Sequence, residues 1–427
     1  MQFTLLNEKE FEKAALTLPC SNFHQTIEWG KLKETNGWKP YYLGVKQKKE
    51  IIAAALLLKK KILKNQCIFY APRGYLLDFK NKELLEFFTK EIKIFAKKEK
   101  AIFVKIDPYL INQERNIDGE IIKDGIDNSE IINELKKLGY KHTGFNLKYE
   151  NIQPRWAFAI NLENKTEKEV FENMESKTRQ LIRKNERNNI EIREIDEEEL
   201  AIFKDIMSHT SERRGFIDRP FSYYKSMLEI LKEKAKIYIA EVNIQNLLEK
   251  TKEEIENNKK IIKTKENELN NNSKNINIEK TKRKIEELTT TNKKLDEKTI
   301  NYQKIIDKDG KRIVLGGIIY MIYNNEILSL FGGCYEKYKE FLSFYTIHWE
   351  LIKYAIKNGY KKYNFYGISG DFKNKDDELY GLYDFKRGFG GNVEEYIGEF
   401  DLIINKPMYL LYQNGYKTYK KIKNKNN

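Results

Sequence analysis

Residues 381–391 form a glycine-rich segment, GLYDFKRGFGG, that carries one candidate catalytic group. Lys386 stands there between Phe385 and Phe389. Glycine lets a ligand approach the backbone closely, and an ammonium group in such a place suits stabilisation of an oxyanion or a transferred acyl group. A lysine whose aliphatic stem lies over the edge of the core, with its charge in water, is the alternative. The segment by itself leaves both open.

Three arginines, Arg213, Arg214 and Arg219, crowd the loop at the end of a predicted helix. Each guanidinium is permanently charged and can bind phosphate oxygens through two hydrogen bonds, so the group suits a diphosphate. Surface ion pairs with Glu212 or Asp218 are the alternative, and the sequence does not choose between them.

A third basic group falls on a helix predicted to begin near residue 166. Its members are Lys177, Arg179, Arg183, Lys184 and Arg187. Spacings of three and four place Lys177, Lys184 and Arg187 broadly on one face. Such a face can hold phosphates, although a solvated helix surface is the more common use of this pattern.

Several other chemistries find no support in the sequence. The three cysteines, Cys20, Cys67 and Cys334, lie far apart without a CxxC spacing, and the four histidines are scattered. This pattern favours reduced thiols and predicts no metal site. There is no P-loop, and the Gly-rich loop with which acetyltransferases hold a pyrophosphate is missing, which argues against acetyl-CoA.

The elements that must position these residues recur in two halves. A chain of 427 residues is expected to form two domains. Period-2 runs predict strands and a period of 3.6 predicts helices. In the first half the predicted strands are 41–45, 51–58, 67–70 and 101–106, with a helix at 82–98. In the second half they are 236–242, 314–323, 327–331 and 362–366, with a helix at 344–357. The repeated order predicts a duplicated α/β unit, joined near Gln153-Pro154, although two unrelated halves could share it.

Residues 244–308 do not fit an α/β unit. Apolar side chains recur there every seven residues, first at Leu248, Ile255, Ile262 and Leu269, and after a polar break at 270–275 in the series Ile278 and Ile285 and the series Leu288, Leu295 and Tyr302. Heptad spacing on both sides of a polar turn predicts two antiparallel helices in a coiled-coil arm.

Six segments in chain order together resemble the FemABX family of non-ribosomal peptidyltransferases, in particular its FemA branch. They are QTIEWGKLK (25–33), FYAPRGYLLDF (69–79), TSERRGFIDRPFSYY (210–224), NFYGISGDF (364–372), FKRGFGGNVEEYIGEFDLIINKP (385–407) and MYLLY (408–412). The resemblance covers nearly the whole chain, and Tyr75 replaces the family's usual proline.

The resemblance implies an α/β (α+β) fold of two tandem GNAT-like, acetyltransferase-type domains. It assigns residues 1–153 and 398–427 to the first domain and 154–397 to the second, with the arm at 244–308 inserted in the second. It also implies an enzyme that moves Gly, Ala or Ser from aminoacyl-tRNA to the stem peptide or growing bridge of a peptidoglycan precursor, either lipid II or UDP-MurNAc-pentapeptide. No metal and no dissociable cofactor is implied.

The family's functional residues map onto matching positions of these motifs. Lys386 corresponds to the lysine that stabilises the transition state, and Asp78 to a carboxylate proposed as a base. Lys33, with one of the three arginines, corresponds to the cations that hold the precursor's phosphates. The remaining substrate-binding candidates are Tyr70, Arg73, Phe331 and Tyr383.

The overall charge agrees with polyanionic partners. Lysine and arginine exceed aspartate and glutamate by 14, and the mean hydropathy is −0.69. A basic protein is attracted to tRNA and to an anionic membrane surface, although a lysine-rich composition explains the charge equally well. No long apolar run and no signal-peptide pattern occurs, so we expect a cytoplasmic protein, with a peripheral contact to the inner face of the membrane and the oligomeric state left open. The alternatives are a non-catalytic tRNA- or membrane-binding protein, or another GNAT-type N-acyltransferase.

Overall fold

Two mixed sheets organise the computed structural model, which describes residues 1–63, 65–148, 152–270 and 277–425. The strands are β1 (Gln2–Leu5), β2 (Lys39–Gln47), β3 (Glu50–Leu63), β4 (Gln66–Ala71), β5 (Ala101–Ile106), β6 (Ile111–Glu114), β7 (Tyr140–His142), β8 (Trp156–Asn161), β9 (Glu191–Ile195), β10 (Ala235–Asn243), β11 (Arg312–Tyr323), β12 (Glu326–Cys334), β13 (Lys362–Gly367), β14 (Asn392–Tyr396) and β15 (Phe400–Ile403).

Helices cover the sheets and join the parallel strands. They are α1 (Glu8–Thr17), α2 (Ile27–Glu34), α3 (Lys82–Lys98), α4 (Ser129–Lys137), α5 (Glu167–Glu172), α6 (Ser176–Arg187), α7 (Leu200–Arg214), α8 (Phe221–Leu231), α9 (Ile244–Asn270), α10 (Ile278–Asp309), α11 (Ser343–Lys357), α12 (Tyr380–Arg387) and α13 (Lys406–Lys425). Within the described ranges, no helix has both the length and the apolar character needed to cross a membrane.

The two sheets repeat one order of strands. The first runs β1-β2-β3-β4-β5-β15-β7 and the second β6-β14-β8-β13-β12-β11-β10-β9. In each, three antiparallel strands (β2–β4, β10–β12) lead through a helix (α3, α11) to a parallel neighbour (β5, β13). A parallel pair requires such a crossover. The predicted mixed α/β fold with two sheets is confirmed.

Each sheet also contains a strand from the other half of the chain. β15 lies between β5 and β7, so residues near the C-terminus occupy the interior of the first sheet. β6 pairs with β14 at the edge of the second sheet, although the sequence-based boundaries assign residues 111–114 to the first domain. Neither exchange can be recognised from strand periodicity, because pairing partners are set by tertiary contacts.

An apolar cluster shared by the two halves brings α2 and α8 together. Phe11, Leu32 and Leu56 from the first half pack in one buried group with Ile206 and Tyr224 from the second. Helix α2 packs directly against α8 as a result. The contact brings the last turn of α2, which carries Lys33, against Tyr223 in the first turn of α8.

Two predicted elements differ from the observed ones. The strand predicted at 327–331, which a break at Gly332-Gly333 was expected to end, continues through both glycines as part of β12, because they pair with Ile318 and Gly317 of β11. A Cβ atom on Gly333 would lie 2.2 Å from the Thr210 hydroxyl, so the glycine permits close packing of α7.

The single helix predicted from residue 166 is interrupted between α5 and α6. Arg179 from α6 donates hydrogen bonds to the carbonyls of Glu172 (2.6 Å) and Met174 (2.5 Å), which have no partner in the helix that ends there. The chain therefore turns at residues 173–175 and begins α6 in a new direction.

Helices α9 and α10 leave adjacent strands and pack against each other in antiparallel orientation. Four members of the predicted seam are buried, namely Leu248, Ile255, Leu295 and Tyr302. Ile278 is 57% exposed and lies outside the seam, contrary to the prediction. A buried polar pair interrupts the apolar contact, in which Asn258 Nδ2 donates to Asn292 Oδ1 at 2.9 Å. In the predicted polar turn, residues 271–275 lie outside the described residues.

Candidate active site

Helix α12 positions Lys386 at the point where the central strands of the second sheet separate. β13 pairs with β12 only over residues 362–364, after which the strands diverge. Lys386 is 6% exposed, and its Nζ donates to the Gly367 carbonyl at 2.7 Å and the Tyr366 carbonyl at 3.4 Å. An ammonium group has three N–H donors, so one is left over after these two hydrogen bonds.

Burial of Lys386 changes its acid–base behaviour. The loss of hydration lowers the pKa of Lys386 to about 7, and the only cause of the shift is this burial. No carboxylate forms an ion pair with Lys386 among the described residues. A lysine of this kind can serve as a charged hydrogen-bond donor or exchange a proton near neutral pH. The arrangement excludes a lysine whose charge lies in bulk water.

Lys33, on α2, lies against α8 across the junction of the two halves. Its Nζ donates to the Tyr223 hydroxyl at 3.2 Å and lies 4.1 Å from the centre of the Trp29 ring. Burial, followed by repulsion from Arg219, lowers the pKa of Lys33 to about 7. The Arg219 guanidinium lies 5.5 Å from the ring of the same tyrosine. Two cations therefore flank one aromatic ring without a carboxylate between them, which is an arrangement that favours an anion.

The other two predicted arginines do not join this cluster. Arg213 forms an ion pair with Glu336 at 2.6 Å, and its guanidinium also lies 3.9 Å from the Cys334 sulfur. Arg214 is exposed at the last position of α7. Their helix ends at Gly215, whose φ of 68° turns the chain away before Arg219. Of the three arginines, only Arg219 lowers the pKa of Lys33 by electrostatic repulsion.

Tyr70 and Arg73 belong to a buried network around Asp107. The Tyr70 hydroxyl donates to Asp107 Oδ2 at 2.9 Å, and the Arg73 backbone N–H donates to Oδ1 at 2.7 Å. The Arg73 guanidinium donates to the Pro154 carbonyl and lies 4.4 Å from the Tyr396 ring, which links the first half to the second. Burial raises the pKa of Asp107 to about 7, against the opposing effect of Arg73.

The sequence did not identify Asp107 as a candidate. A signal was present, because an aspartate followed by proline ends the largely apolar strand at 101–106. A carboxylate at the end of a buried strand is a recognised position for functional residues.

Tyr366 connects the three groups. Its backbone carbonyl accepts from Lys386, and its hydroxyl donates to Gln153 at the joint between the halves. Burial is the main cause of its raised pKa, and Arg73, Asp107 and Tyr223 also act on it electrostatically. Its φ of 66° turns the side chain out of the strand at an irregularity in the β13–β8 pairing. Tyr366 therefore contacts Lys386 through its carbonyl and lies close enough to Asp107 and to Tyr223, the hydrogen-bond partner of Lys33, to interact with both electrostatically.

The three remaining predicted residues lie around this site rather than inside it. Asp78 is exposed and accepts from the Lys80 backbone N–H at 2.9 Å; none of its described contacts is with Lys386 or Lys33. Phe331 is half-buried in β12, edge-on to Tyr224. Tyr383 is buried, and its hydroxyl donates to the Ile117 carbonyl at 2.9 Å, which fixes α12. The substrate roles of these residues stay predictions.

Comparison with known proteins decides the family. The model of the FemAB family matches residues 6–417. The chain belongs to the FemAB family. Among curated relatives of this FemAB protein, Aminoacyltransferase FemA of Staphylococcus epidermidis is 34% identical over 430 residues, covering 99% of this chain and 100% of the relative. Aminoacyltransferase FemA of Staphylococcus aureus is 30% identical over 414 residues, covering 96% and 97%.

A solved structure agrees with this assignment. The crystal structure of FemX superposes on this FemAB protein with a TM-score of 0.74 at 27% identity, covering 96% of this chain and 99% of FemX. The similarity therefore extends over both sheets and is not limited to one of the two repeated units.

Proposed function

We propose that this FemAB protein is an aminoacyltransferase that moves an amino acid from aminoacyl-tRNA to the amine of a peptidoglycan precursor, lengthening the interpeptide bridge. The activity follows the FemA relatives, which are aminoacyltransferases by name. The observation that carries the proposal for this chain is Lys386, a buried ammonium group that donates to two backbone carbonyls and has no carboxylate partner among the described residues.

The cation pair supplies the binding site for the precursor. Both soluble and lipid-linked peptidoglycan precursors carry a diphosphate, and each contact between a phosphate oxygen and a cation is a charge-assisted hydrogen bond. Burial and, after it, repulsion from Arg219 lower the pKa of Lys33, and an anion between the two cations would oppose both effects. Binding of the diphosphate therefore keeps Lys33 protonated and fixes the precursor at the junction of the two halves.

Lys386 acts on the acyl group. The precursor's free amine attacks the ester carbonyl carbon of the aminoacyl group, a C–N bond forms, the ester C–O bond breaks, and the amine proton goes to the departing ribose oxygen. Negative charge develops on the carbonyl oxygen during attack, and the remaining N–H of Lys386 is placed to stabilise it. The reaction as written uses no metal ion and no dissociable cofactor.

The test is a transfer assay with defined donors and acceptors. The purified protein is incubated with tRNAs charged with Gly, Ala or Ser and with either lipid II or UDP-MurNAc-pentapeptide. The masses of the products are then measured by mass spectrometry. We expect the acceptor mass to increase by one or more residues of a single amino acid. The absence of any product with all donor–acceptor pairs would contradict the proposal, provided that the donors remain charged throughout the assay.

A further inference from the structure

The outer face of helix α6 is basic. The helix buries Thr178, Ile182 and Asn185 against the second sheet unit. On the opposite side lie the exposed residues Lys177, Gln180, Arg183, Lys184 and Arg187. A period of 3.6 residues places these side chains on a single exposed strip. We call this strip the α6 face.

The cations of the α6 face are not neutralised. Within the described residues, none of its four basic side chains forms an ion pair, although Arg183 also contacts the Phe171 ring at 5.2 Å. Glu186 is the acidic residue beside the strip, at its flank. Lysines elsewhere on this protein are frequently paired, for example Lys225 with Glu197. Four unpaired positive charges in one strip produce a local field that favours a polyanion.

One end of the α6 face begins beside the catalytic candidate. The Glu175 backbone N–H, just before α6, donates to the Gly388 carbonyl at 2.9 Å, two residues after Lys386. A Cβ atom on Gly388 would lie 2.4 Å from the Thr178 hydroxyl, so a glycine is required for α12 to end against α6. The helix that carries Lys386 and the basic helix are therefore in direct contact.

The other end of the α6 face reaches the base of the helical arm. The side-chain amide of Asn189 lies 3.2 Å from the Nζ of Lys250, which is on the second turn of α9. Twelve helical residues span about 18 Å at 1.5 Å per residue. The strip thus extends from the end of α12 to the base of the arm over a length comparable to several phosphates of a nucleic acid strand.

We propose that the α6 face binds the phosphate backbone of the acceptor stem of the RNA donor and thereby directs its 3′ end toward Lys386. This inference rests on the proposed function, because it assumes an RNA-linked donor. An anionic membrane is the less favoured partner, since no large apolar side chain is exposed on the strip, whereas membrane-surface helices bury an apolar face. In the proposed function the precursor's diphosphate binds to Lys33 and Arg219, so it does not need the α6 face.

The test compares two triple variants with equal loss of charge. The first, Lys177→Gln/Lys184→Gln/Arg187→Gln, removes three of the four positive charges of the α6 face and keeps Arg183, which contacts the Phe171 ring. The control, Lys90→Gln/Lys93→Gln/Lys97→Gln, removes three exposed lysines from α3 on the first sheet unit. All six side chains are exposed, so both variants should fold like the wild type. We expect the first variant to raise the KM for charged tRNA about tenfold with little change in kcat, and the control to leave the KM unchanged.

Salt dependence and donor length identify the contact. Each phosphate contact contributes about one unit to the slope of log affinity against log salt. Removal of three cations should therefore lower the magnitude of the slope for tRNA binding by about three units. With an aminoacylated dinucleotide, which lacks the acceptor stem, the variant should match the wild type. Equal KM values for the two triple variants with charged tRNA would overturn the inference, and so would an equal loss of activity with the short donor.

Two further readouts separate this inference from its alternatives. Binding of uncharged tRNA needs no transfer, so an unchanged salt slope there would overturn the inference even if the proposed function failed. Loss of binding to anionic phospholipid vesicles, with normal tRNA binding, would assign the strip to a membrane instead. If the wild type transfers nothing from charged tRNA while the first variant still loses tRNA affinity, the proposed function is wrong. The inference that the α6 face binds RNA is then retained.

Discussion

Burial moves the pKa values of three residues in this site toward neutrality. Lys386 and Lys33 are both lowered to about 7, and Asp107 is raised to about 7. Groups that titrate near the working pH can exchange protons readily, and such shifts are concentrated at functional sites. Motif comparison identified the two lysines from the sequence. It could not select Arg219 from three arginines or find Asp107, because both depend on how the halves of the chain pack.

Removing the Lys386 ammonium should affect the reaction more than binding. Lys386→Met keeps a similar volume but has no donor for the developing oxyanion. We expect kcat to fall by about 10²-fold or more with little change in KM, as measured by steady-state transfer. Activity within about threefold of the wild type would show that Lys386 is only a buried structural residue.

The pH dependence of Lys386 gives a second prediction. Its charged form is present below a pKa of about 7 and is lost as the pH rises through that value. If the ammonium stabilises the oxyanion, kcat should decline on the alkaline side of the profile. Lys386→Arg keeps its charge at every accessible pH, so whatever activity that variant retains should not show this decline. An identical alkaline limb in both proteins would assign it to another group.

Lys33 and Arg219 should act on binding of the precursor. Lys33→Ala and Arg219→Ala should each weaken binding of the precursor by roughly 1–3 kcal/mol, since each removes a charge-assisted contact. The loss should be seen as a higher KM for the precursor. Lys31→Ala, on the same helix but paired with Glu8 at the surface, is the matched control. An acceptor without the diphosphate should abolish the difference from the wild type. If the difference persists, these residues do not contact phosphate.

Among the secondary-structure elements, periodicity predicted those whose conformation is determined by the local sequence. The hairpin strands, α3 and α11 were predicted because their alternating or helical patterns are uninterrupted. Periodicity did not indicate which sheet β6 and β15 join, because four residues carry too little pattern. Only the family resemblance grouped residues 398–427, which contain β15, with the first domain. The helical arm was predicted from heptad spacing, but spacing did not predict the buried Asn258–Asn292 pair.

Shortening the arm should leave the sheets intact. Its two ends enter neighbouring strands, and the Ile244 backbone N–H donates to the Lys311 carbonyl at 2.8 Å. Replacing residues 252–300 by a short Gly-Ser turn keeps Leu248 and Tyr302, which belong to the core of the second sheet unit. We expect the Tm to change by only a few degrees in a thermal melt. Loss of cooperative unfolding would show that the arm is part of the core.

The same variant tests what the arm does. If lysines of the arm contact tRNA, the shortened protein should bind tRNA more weakly and with a lower salt slope. An unchanged slope with a changed sedimentation mass would assign the arm to self-association instead. Because the α6 face remains in this variant, its contribution to the slope should persist.

At the scale of the whole molecule, the two halves are mutually dependent. The Arg73 contacts with Pro154 and Tyr396, the shared core beneath α2 and α8, and β15 within the first sheet all cross between them. The site lies along this junction, which explains why neither half alone contains both the cation pair and Lys386. Length and repetition predicted two units, but they did not predict this interlocking.

Truncation should reveal the dependence. Deleting residues 398–427 removes β15 from between β5 and β7 and exposes both strands, so we expect a protein that is aggregated or lacks a cooperative melt. Truncation after residue 414 keeps β15 and the buried Tyr409, and should fold. A cooperative melt of the longer deletion at the wild-type Tm would contradict the interlocked arrangement.

If Lys386 stabilises acyl transfer from an RNA-linked donor to a precursor held by Lys33 and Arg219, the loss of its ammonium group should slow the transfer step itself. Single-turnover transfer, with enzyme in excess over charged tRNA and at saturating precursor, measures this step free of product release. We expect Lys386→Met to slow the single-turnover rate by about 10²-fold, while Lys33→Ala, at saturation, changes it little. Equal rates for Lys386→Met and the wild type would contradict this role of Lys386.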